Sequence, residues 1–183
     1  FLERTANECH ANVIVTAHTR NDQVETVLLR LLRGTSAAGL QGIYATTELP
    51  NSLRLVRPML DITRTEVLEH CAQYQLAFCH DSSNLSLDLT RNRIRRELLP
   101  ALTTYNPAID LTLLRLAAQS YEDDDYLQAE AHKLVQKLAD GSSLNFTPLL
   151  TLHPAVRRRV VRRWLQLARG DLRQIGMTHL LAL

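Results

Sequence analysis

Two carboxylates and several groups of arginines are the residues of this sequence whose types and spacing could do chemistry. Asp22 and Glu25 stand three apart in His18-Thr19-Arg20-Asn21-Asp22-Gln23-Val24-Glu25-Thr26. On a helix that spacing puts both on one face, where two carboxylates could share Mg²⁺ through oxygen ligands or bind a cationic substrate. The plainer reading is that acidic residues suit a first helical turn because of the helix dipole. His18 alone reads first as a packed or hydrogen-bonding histidine. Arg30, Arg33 and Gly34 follow at the other end of the same segment. An arginine before a flexible small-residue loop could clamp a phosphate, or simply complement the dipole while Gly34 stops the helix.

A second group is Asp81-Ser82-Ser83-Asn84, then Arg91-Asn92-Arg93-Ile94-Arg95-Arg96. Arg91 and Arg95 are i,i+4 neighbours of like charge, so an anion should offset their repulsion; Asp81 or a partner's phosphates could supply it. Arg93 and Glu97 read as an ordinary surface pair. A third group, Arg157-Arg158-Arg159-Val160-Val161-Arg162-Arg163-Trp164, is a helix with an apolar side and an arginine-covered remainder. Arg157, Arg158, Arg162 and Arg163 are expected to contact nucleic-acid backbone, against the alternative of internal pairing with Asp123–Asp125. His70-Cys71 and Cys79-His80 lack zinc-site spacing. No Gly-rich phosphate loop occurs, so an ATP-using chain would need one elsewhere and would be inactive alone.

These residues need elements to position them. Val13-Ile14-Val15 reads as a buried strand, feeding a largely buried helix over 22–32, capped by Asn21 or Asp22 and stopped by Gly34. Together they are the βα unit of a parallel sheet. Leu53–Val56 reads as a second strand ended by Pro58. Thr63 and Glu66 form a capping box opening a helix to about Tyr74, with Val67, Leu68 and Cys71 inward. Leu76–Phe78 reads as extended, and Thr90 as the cap of a helix, Arg91–Leu99, closed by Pro100. Beyond lies helix only: 108–140 as one helix or two, ending at Gly141, then 154–168 opened by Pro154 and stopped by Gly170. The fold class expected is α/β, a partial Rossmann-like parallel-sheet domain over 1–104, followed by an all-helical domain over 105–183.

Bulk composition narrows the class. Of 183 residues, 45% are hydrophobic and 22% charged, which suits a globular core. The net charge of +2 conceals a basic block at 154–173, with seven Arg against one Asp, the kind of surface a polyanion meets. No apolar run is long enough to span a bilayer, no secretory leader is evident, and three cysteines make no disulfide framework. Cytoplasm is the expected compartment, with no membrane partner. Oligomeric state is open, a homodimer included. Phe1 and Leu183 both read as falling inside elements, so flanking sequence is expected.

The motifs resemble a known family. His18–Thr26 followed by Leu28-Leu29-Arg30-Leu31-Leu32-Arg33-Gly34-Thr35 and Gly39-Leu40-x-Gly42 resembles a signature of the tRNA(Ile)-lysidine synthetases, members of the PP-loop superfamily of N-type ATP pyrophosphatases. Arg57-Pro58-x-Leu60, Asp81-x-Ser83-Asn84 and Arg91-Asn92-x-Ile94-Arg95-x-x-Leu98-x-Pro100 resemble its other signatures. The resemblance implies that the first domain is an adenylation domain and that the enzyme is an ATP-dependent ligase. With ATP it would adenylate the C2 oxygen of the wobble cytidine in isoleucine tRNA bearing a CAU anticodon, releasing pyrophosphate; the ε-amine of free lysine would then attack C2 and expel AMP. By the same resemblance, Asp22 and Glu25 serve Mg²⁺, lysine or both. Asn92 and Arg95 lie near the nucleotide, and Arg33 lies near its phosphates. His18, Gly34, Asp81, Asn84 and Arg91 join the substrate or nucleotide set, with Asp22, Glu25 and Arg95 as the catalytic group. The chain departs from many members at Thr19 and Asn21. The family's Ser-Gly-Gly-x-x-Ser pyrophosphate loop is expected upstream of Phe1, making the chain a fragment that lacks it, and a tRNA-binding domain is expected downstream. The rivals are a tRNA-thiolating enzyme of the same superfamily and a non-enzymatic RNA-binding module.

Overall fold

The computed structural model describes residues 1–79, 89–140 and 143–170. Asp81, Asn84 and Gly141, singled out from the sequence, lie outside the described residues. The chain divides into two compact units, Phe1–Ser120 and Tyr121–Leu183.

In the first unit, helix α1 (Leu2–Glu8) leads to strand β1 (Val13–Val15), then α2 (Arg20–Leu32) and the short α3 (Ala37–Leu40). Strands β2 (Thr46–Glu48) and β3 (Arg54–Val56) precede α4 (Arg64–Gln73). The sheet order is β1-β3-β2, with β1 parallel and β2 antiparallel to β3. It is therefore a small mixed sheet, where a parallel Rossmann-like sheet was expected. β2 escaped the sequence reading because Thr46-Thr47-Glu48 has no apolar alternation. The buried strand expected at Val13–Val15 is instead an edge strand, with Val13 38% and Val15 62% exposed. A β-branched run reports fit to a pleated surface, not which side of it is covered.

Helix α2 buries one face only. Val24, Val27 and Leu28 pack with Ile94, Leu113 and Ala117, while Leu31 and Leu32 are exposed. Each such side chain contributes about 1.5–3 kcal/mol by leaving water. The cap of α2 is Thr19, not Asn21 or Asp22. Asp22 occupies the third helical position and accepts hydrogen bonds from Thr19 N and Oγ1, both at 2.8 Å. Gly34 follows the helix at φ +76°, the left-handed conformation that glycine adopts without steric cost. The Thr63–Glu66 capping box is present, but α4 buries no residue and Leu68 is 41% exposed.

Helix α5 (Thr90–Arg93) is preceded by Leu89 as cap rather than Thr90, and it passes into a π-helical turn, Ile94–Leu98, and then α6 (Leu99–Tyr105). Pro100 does not close this segment as expected. The wider turn reopens the helix just before it, so Pro100 falls in a first turn, where its missing N–H has no partner to lose.

Helix α7 (Ile109–Leu138) is one element of 30 residues. Its Ala131 and Val135 pack in the second unit with Leu149, Val160 and Val161. A two-residue pairing of β4 (Ala139–Asp140) with β5 (Ser143–Leu144) interrupts what was expected to be helix alone. Helix α8 (Pro154–Arg169) starts at Pro154 and stops at Gly170, φ +80°. The architecture is a small mixed sheet with helices, followed by a helical region. Among the described residues no helix is long and apolar enough to cross a membrane.

Candidate active site

The junction from β1 to α2 places His18, Asp22 and Glu25 at the carboxyl end of a strand, where open α/β sheets put ligands. The spacing of the two acids brings them to one guanidinium. Arg91 donates through Nη2 to Asp22 Oδ1 at 3.0 Å and through Nε to Glu25 Oε2 at 2.8 Å. Arg95 holds Glu25 with two further bonds, Nε to Oε1 at 2.6 Å and Nη2 to Oε2 at 3.1 Å. Glu25 is 1% exposed, whereas the Arg91 and Arg95 side chains are 39% and 28% exposed. Among the described residues, the anion that the Arg91–Arg95 spacing demands is supplied by Glu25 with Asp22.

This geometry sets the electrostatics. Burial opposes ionisation of Asp22, but the Thr19 hydrogen bonds, with Arg91 and His18 nearby, outweigh it and lower its pKa. The hydrogen bonds to Glu25 raise the pKa of Arg95 against its partial burial. Two carboxylates and two guanidiniums leave no net negative charge. Glu25 has three of roughly four acceptor positions filled, and Asp22 Oδ2 is committed to Thr19. This arrangement does not suit Mg²⁺, whose oxygen ligands must be free to offset a dication. Among the described residues, no three His, Cys, Asp or Glu side chains cluster as a metal site.

Asn92 is buried at 5% exposure, while Arg93 faces outward and pairs with Glu97 at 3.6 Å. His18 Nδ1 meets Thr16 Oγ1 at 2.9 Å. Arg33 and Gly34 are exposed at the far end of α2, about 16 Å along the axis from Asp22 at 1.5 Å per residue, so the fold does not bring them to the acid pair. Gln23 was missed as a site residue, Arg57 was read only as part of a motif, and Arg30 was read as a phosphate clamp or a complement to the helix dipole. Gln23 accepts from Ile43 N and donates to the carbonyl of Gln41. Arg30 Nη1 donates to the carbonyls of Gly39 and Gly42 at 2.9 and 2.7 Å. The seven-residue spacing of Gln23 and Arg30, two helical turns, was the available signal. Gly42, at φ +70°, lies so near Gln23 that a Cβ there would stand 2.5 Å from its amide oxygen.

In the second unit, Arg159 pairs with buried Asp124, Nη2 to Oδ1 at 2.6 Å and Nε at 3.1 Å. Among the described residues, Arg157, Arg158, Arg162 and Arg163 form no ion pair. Arg162 and Arg163 line a cleft of about 360 Å³ with Asp125, His132 and Gln166.

Comparison with known proteins adds the family. A family model described as a PP-loop domain matches residues 1–102, and one described as a TilS substrate binding domain matches residues 144–183. The first match overturns the expectation of a fragment lacking the PP-loop part. A PP-loop domain is present in the chain. Three similar proteins are each called tRNA(Ile)-lysidine synthase. That of Gloeobacter violaceus is 40% identical, covering 100% of this chain and 56% of the relative. That of Dehalococcoides mccartyi is 35% identical over 98% of this chain and 40% of the relative. That of Solibacter usitatus is 39% identical over 91% and 38%. The chain thus spans 56% or less of each relative's length. With a PP-loop domain over more than half its length and a TilS substrate binding domain after it, the chain belongs to the tRNA(Ile)-lysidine synthase family.

Proposed function

We propose that the protein ligates lysine to C2 of the wobble cytidine in CAU-anticodon isoleucine tRNA, in the cytoplasm, by way of an ATP-derived adenylate. The observation that carries the reading is the Asp22–Arg91–Glu25–Arg95 network at the β1–α2 junction of a PP-loop domain. Adenylation spreads negative charge over the α-phosphate and the departing pyrophosphate, and preorganised donors aimed at that charge lower the barrier. Arg95, with Arg91 beside it, is the group proposed to meet it; Asn92, buried on the same helix, is proposed to lie near the nucleotide. Glu25, enclosed by both guanidiniums, acts as a positioning residue. Asp22 Oδ1, which accepts one hydrogen bond from Arg91 and has a further acceptor position, is the oxygen proposed for the lysine ammonium, placing the amine for attack on C2. No step is assigned to Mg²⁺ at Asp22 and Glu25, since the pair is already neutralised. Arg157, Arg158, Arg162 and Arg163 are proposed to hold tRNA backbone without reading bases.

The test is lysine-dependent AMP release with CAU-anticodon tRNA. Arg95→Ala should lower it by at least about 100-fold, the scale of losing one preorganised donor, whereas Arg93→Ala should leave it within about twofold. Equal, small effects of the two changes would remove the network from the reaction.

A further inference from the structure

The seven-residue spacing that puts Gln23 and Arg30 on one face of α2 has a counterpart after β3, where Arg57 turns back toward the same loop. Arg57 Nη1 donates to the carbonyl of Tyr44 at 2.7 Å and to Thr47 Oγ1 at 3.1 Å. Arg30 and Arg57 line one pocket of about 240 Å³, together with His18, Thr26, Tyr44 and Arg91. That is room for roughly eight waters at ~30 Å³ each.

We propose that this pocket binds a phosphate group through Arg30 and Arg57, with His18 at its wall. Three observations carry the assignment. Among the described residues, no carboxylate lines the pocket and neither Arg30 nor Arg57 forms an ion pair. Arg91 is balanced by Asp22 and Glu25, but the other two charges are steadied only by neutral oxygens, which fix a guanidinium without cancelling its charge. Second, among the described residues each of the two arginines is anchored through Nη1 alone. The remaining edge of the fork, Nε with Nη2, matches two oxygens of a phosphate. Third, Arg57 Nε is buried without a hydrogen-bond partner, and leaving such a donor unmet costs more than a typical hydrogen bond gains. Bracing the 39–47 loop accounts for the Nη1 bonds but for neither the accumulated charge nor the orphaned Nε. The pocket shares His18 and Arg91 with the β1–α2 site, while Arg30 and Arg57 go beyond the ligase reading, which uses Asp22, Glu25, Arg91 and Arg95. A nucleotide's polyphosphate and an RNA phosphodiester present the same oxygens, and the experiment separates them.

Titration calorimetry of the protein with inorganic pyrophosphate, and separately with an RNA anticodon stem-loop, tests the site. Arg57→Gln should weaken at least one probe by about tenfold or more, the range for a charge-assisted hydrogen bond, with an unchanged circular dichroism spectrum. Loss confined to pyrophosphate assigns the pocket to a nucleotide, and loss confined to the stem-loop assigns it to RNA backbone. Should Arg57→Gln unfold the loop, His18→Gln, which removes no carbonyl contact, should still weaken the same probe about threefold. Unchanged affinity for both probes in the folded variants, or no binding of either by the unaltered protein, overturns the proposal. Arg57-dependent pyrophosphate binding in a protein that releases no AMP with lysine and tRNA would leave the pocket standing and remove the ligase reading.

Discussion

Replacing Glu25 by Gln keeps the side chain's shape and removes its charge, which isolates the electrostatic role of the network. Glu25 accepts three hydrogen bonds of 2.6–3.1 Å from Arg91 and Arg95 while 1% exposed. In the Gln variant one terminal atom becomes a donor facing guanidinium N–H groups, and two cations share the partial compensation of Asp22. Breaking a fully buried pair by removing one partner costs about 3–5 kcal/mol. Arg91 and Arg95 are 39% and 28% exposed, so water recovers part of that, and about 2–3 kcal/mol is expected. At roughly 2–4 °C per kcal/mol for a chain of this size, the first unit should melt about 4–12 °C earlier. The only tryptophan, Trp164, lies on α8 in the second unit. Far-UV circular dichroism should therefore record an earlier loss of helix, while Trp164 fluorescence shifts less. In a double-mutant cycle, Arg95→Gln should recover at least about 1 kcal/mol of the Glu25→Gln loss, because it removes the stranded charge. Additive losses, to within about 0.5 kcal/mol, would show that Glu25 and Arg95 are not energetically coupled and would refute the argument.

Two further outcomes follow from the same geometry. The pKa of Asp22 is lowered on folding, so its contribution is fully present above the ordinary value of 3.8 and is lost as pH falls through the lower folded value. Melting measured through that acid window should fall more steeply for the unaltered protein than for Asp22→Asn, and parallel slopes would refute the assignment. In the second unit, Asp124→Asn should lower the Trp164 transition by about 1–3 kcal/mol, since it strands Arg159, and leave tRNA affinity nearly unchanged. An Arg158→Ala/Arg162→Ala variant should instead weaken tRNA binding and reduce its logarithmic salt slope by about 1–2. The opposite pattern would make the basic block structural.

The elements legible in the sequence were those with local punctuation. The Thr63–Glu66 box, Gly34 after α2, and Pro154 and Gly170 around α8 all do locally what their residue types dictate. What failed depended on tertiary context. The cap of α2 falls at Thr19 because Asp22, at the third helical position, reaches back to it; read forward, Asn21 and Asp22 are equally good caps. Asn21 instead accepts from Arg64 N at 2.8 Å, tying α2 to the start of α4. Pro100 misled for a related reason. Proline ends an α-helix whose ladder is intact, and the π-helical turn at Ile94–Leu98 had already interrupted that ladder.

The candidate site shows how far charge arithmetic can substitute for a structure. Placing Arg91 four residues before Arg95 on one helix requires an anion, and placing Asp22 three residues before Glu25 requires a cation. Each demand was visible separately: Asp81 or a partner's phosphates for the arginines, Mg²⁺ or a cationic substrate for the acids. The pairings between the two groups span 66 to 70 residues, a separation that no local pattern encodes, and they satisfy both demands internally. What is left over is then informative. Arg30, which reads as a dipole complement or a phosphate clamp, and Arg57, part of a motif, are the cations of the first unit's pocket that this cancellation does not reach among the described residues. A charge that the fold holds in place but leaves uncompensated is where an anionic substrate gains most by binding, because its attraction is not offset by a carboxylate already there.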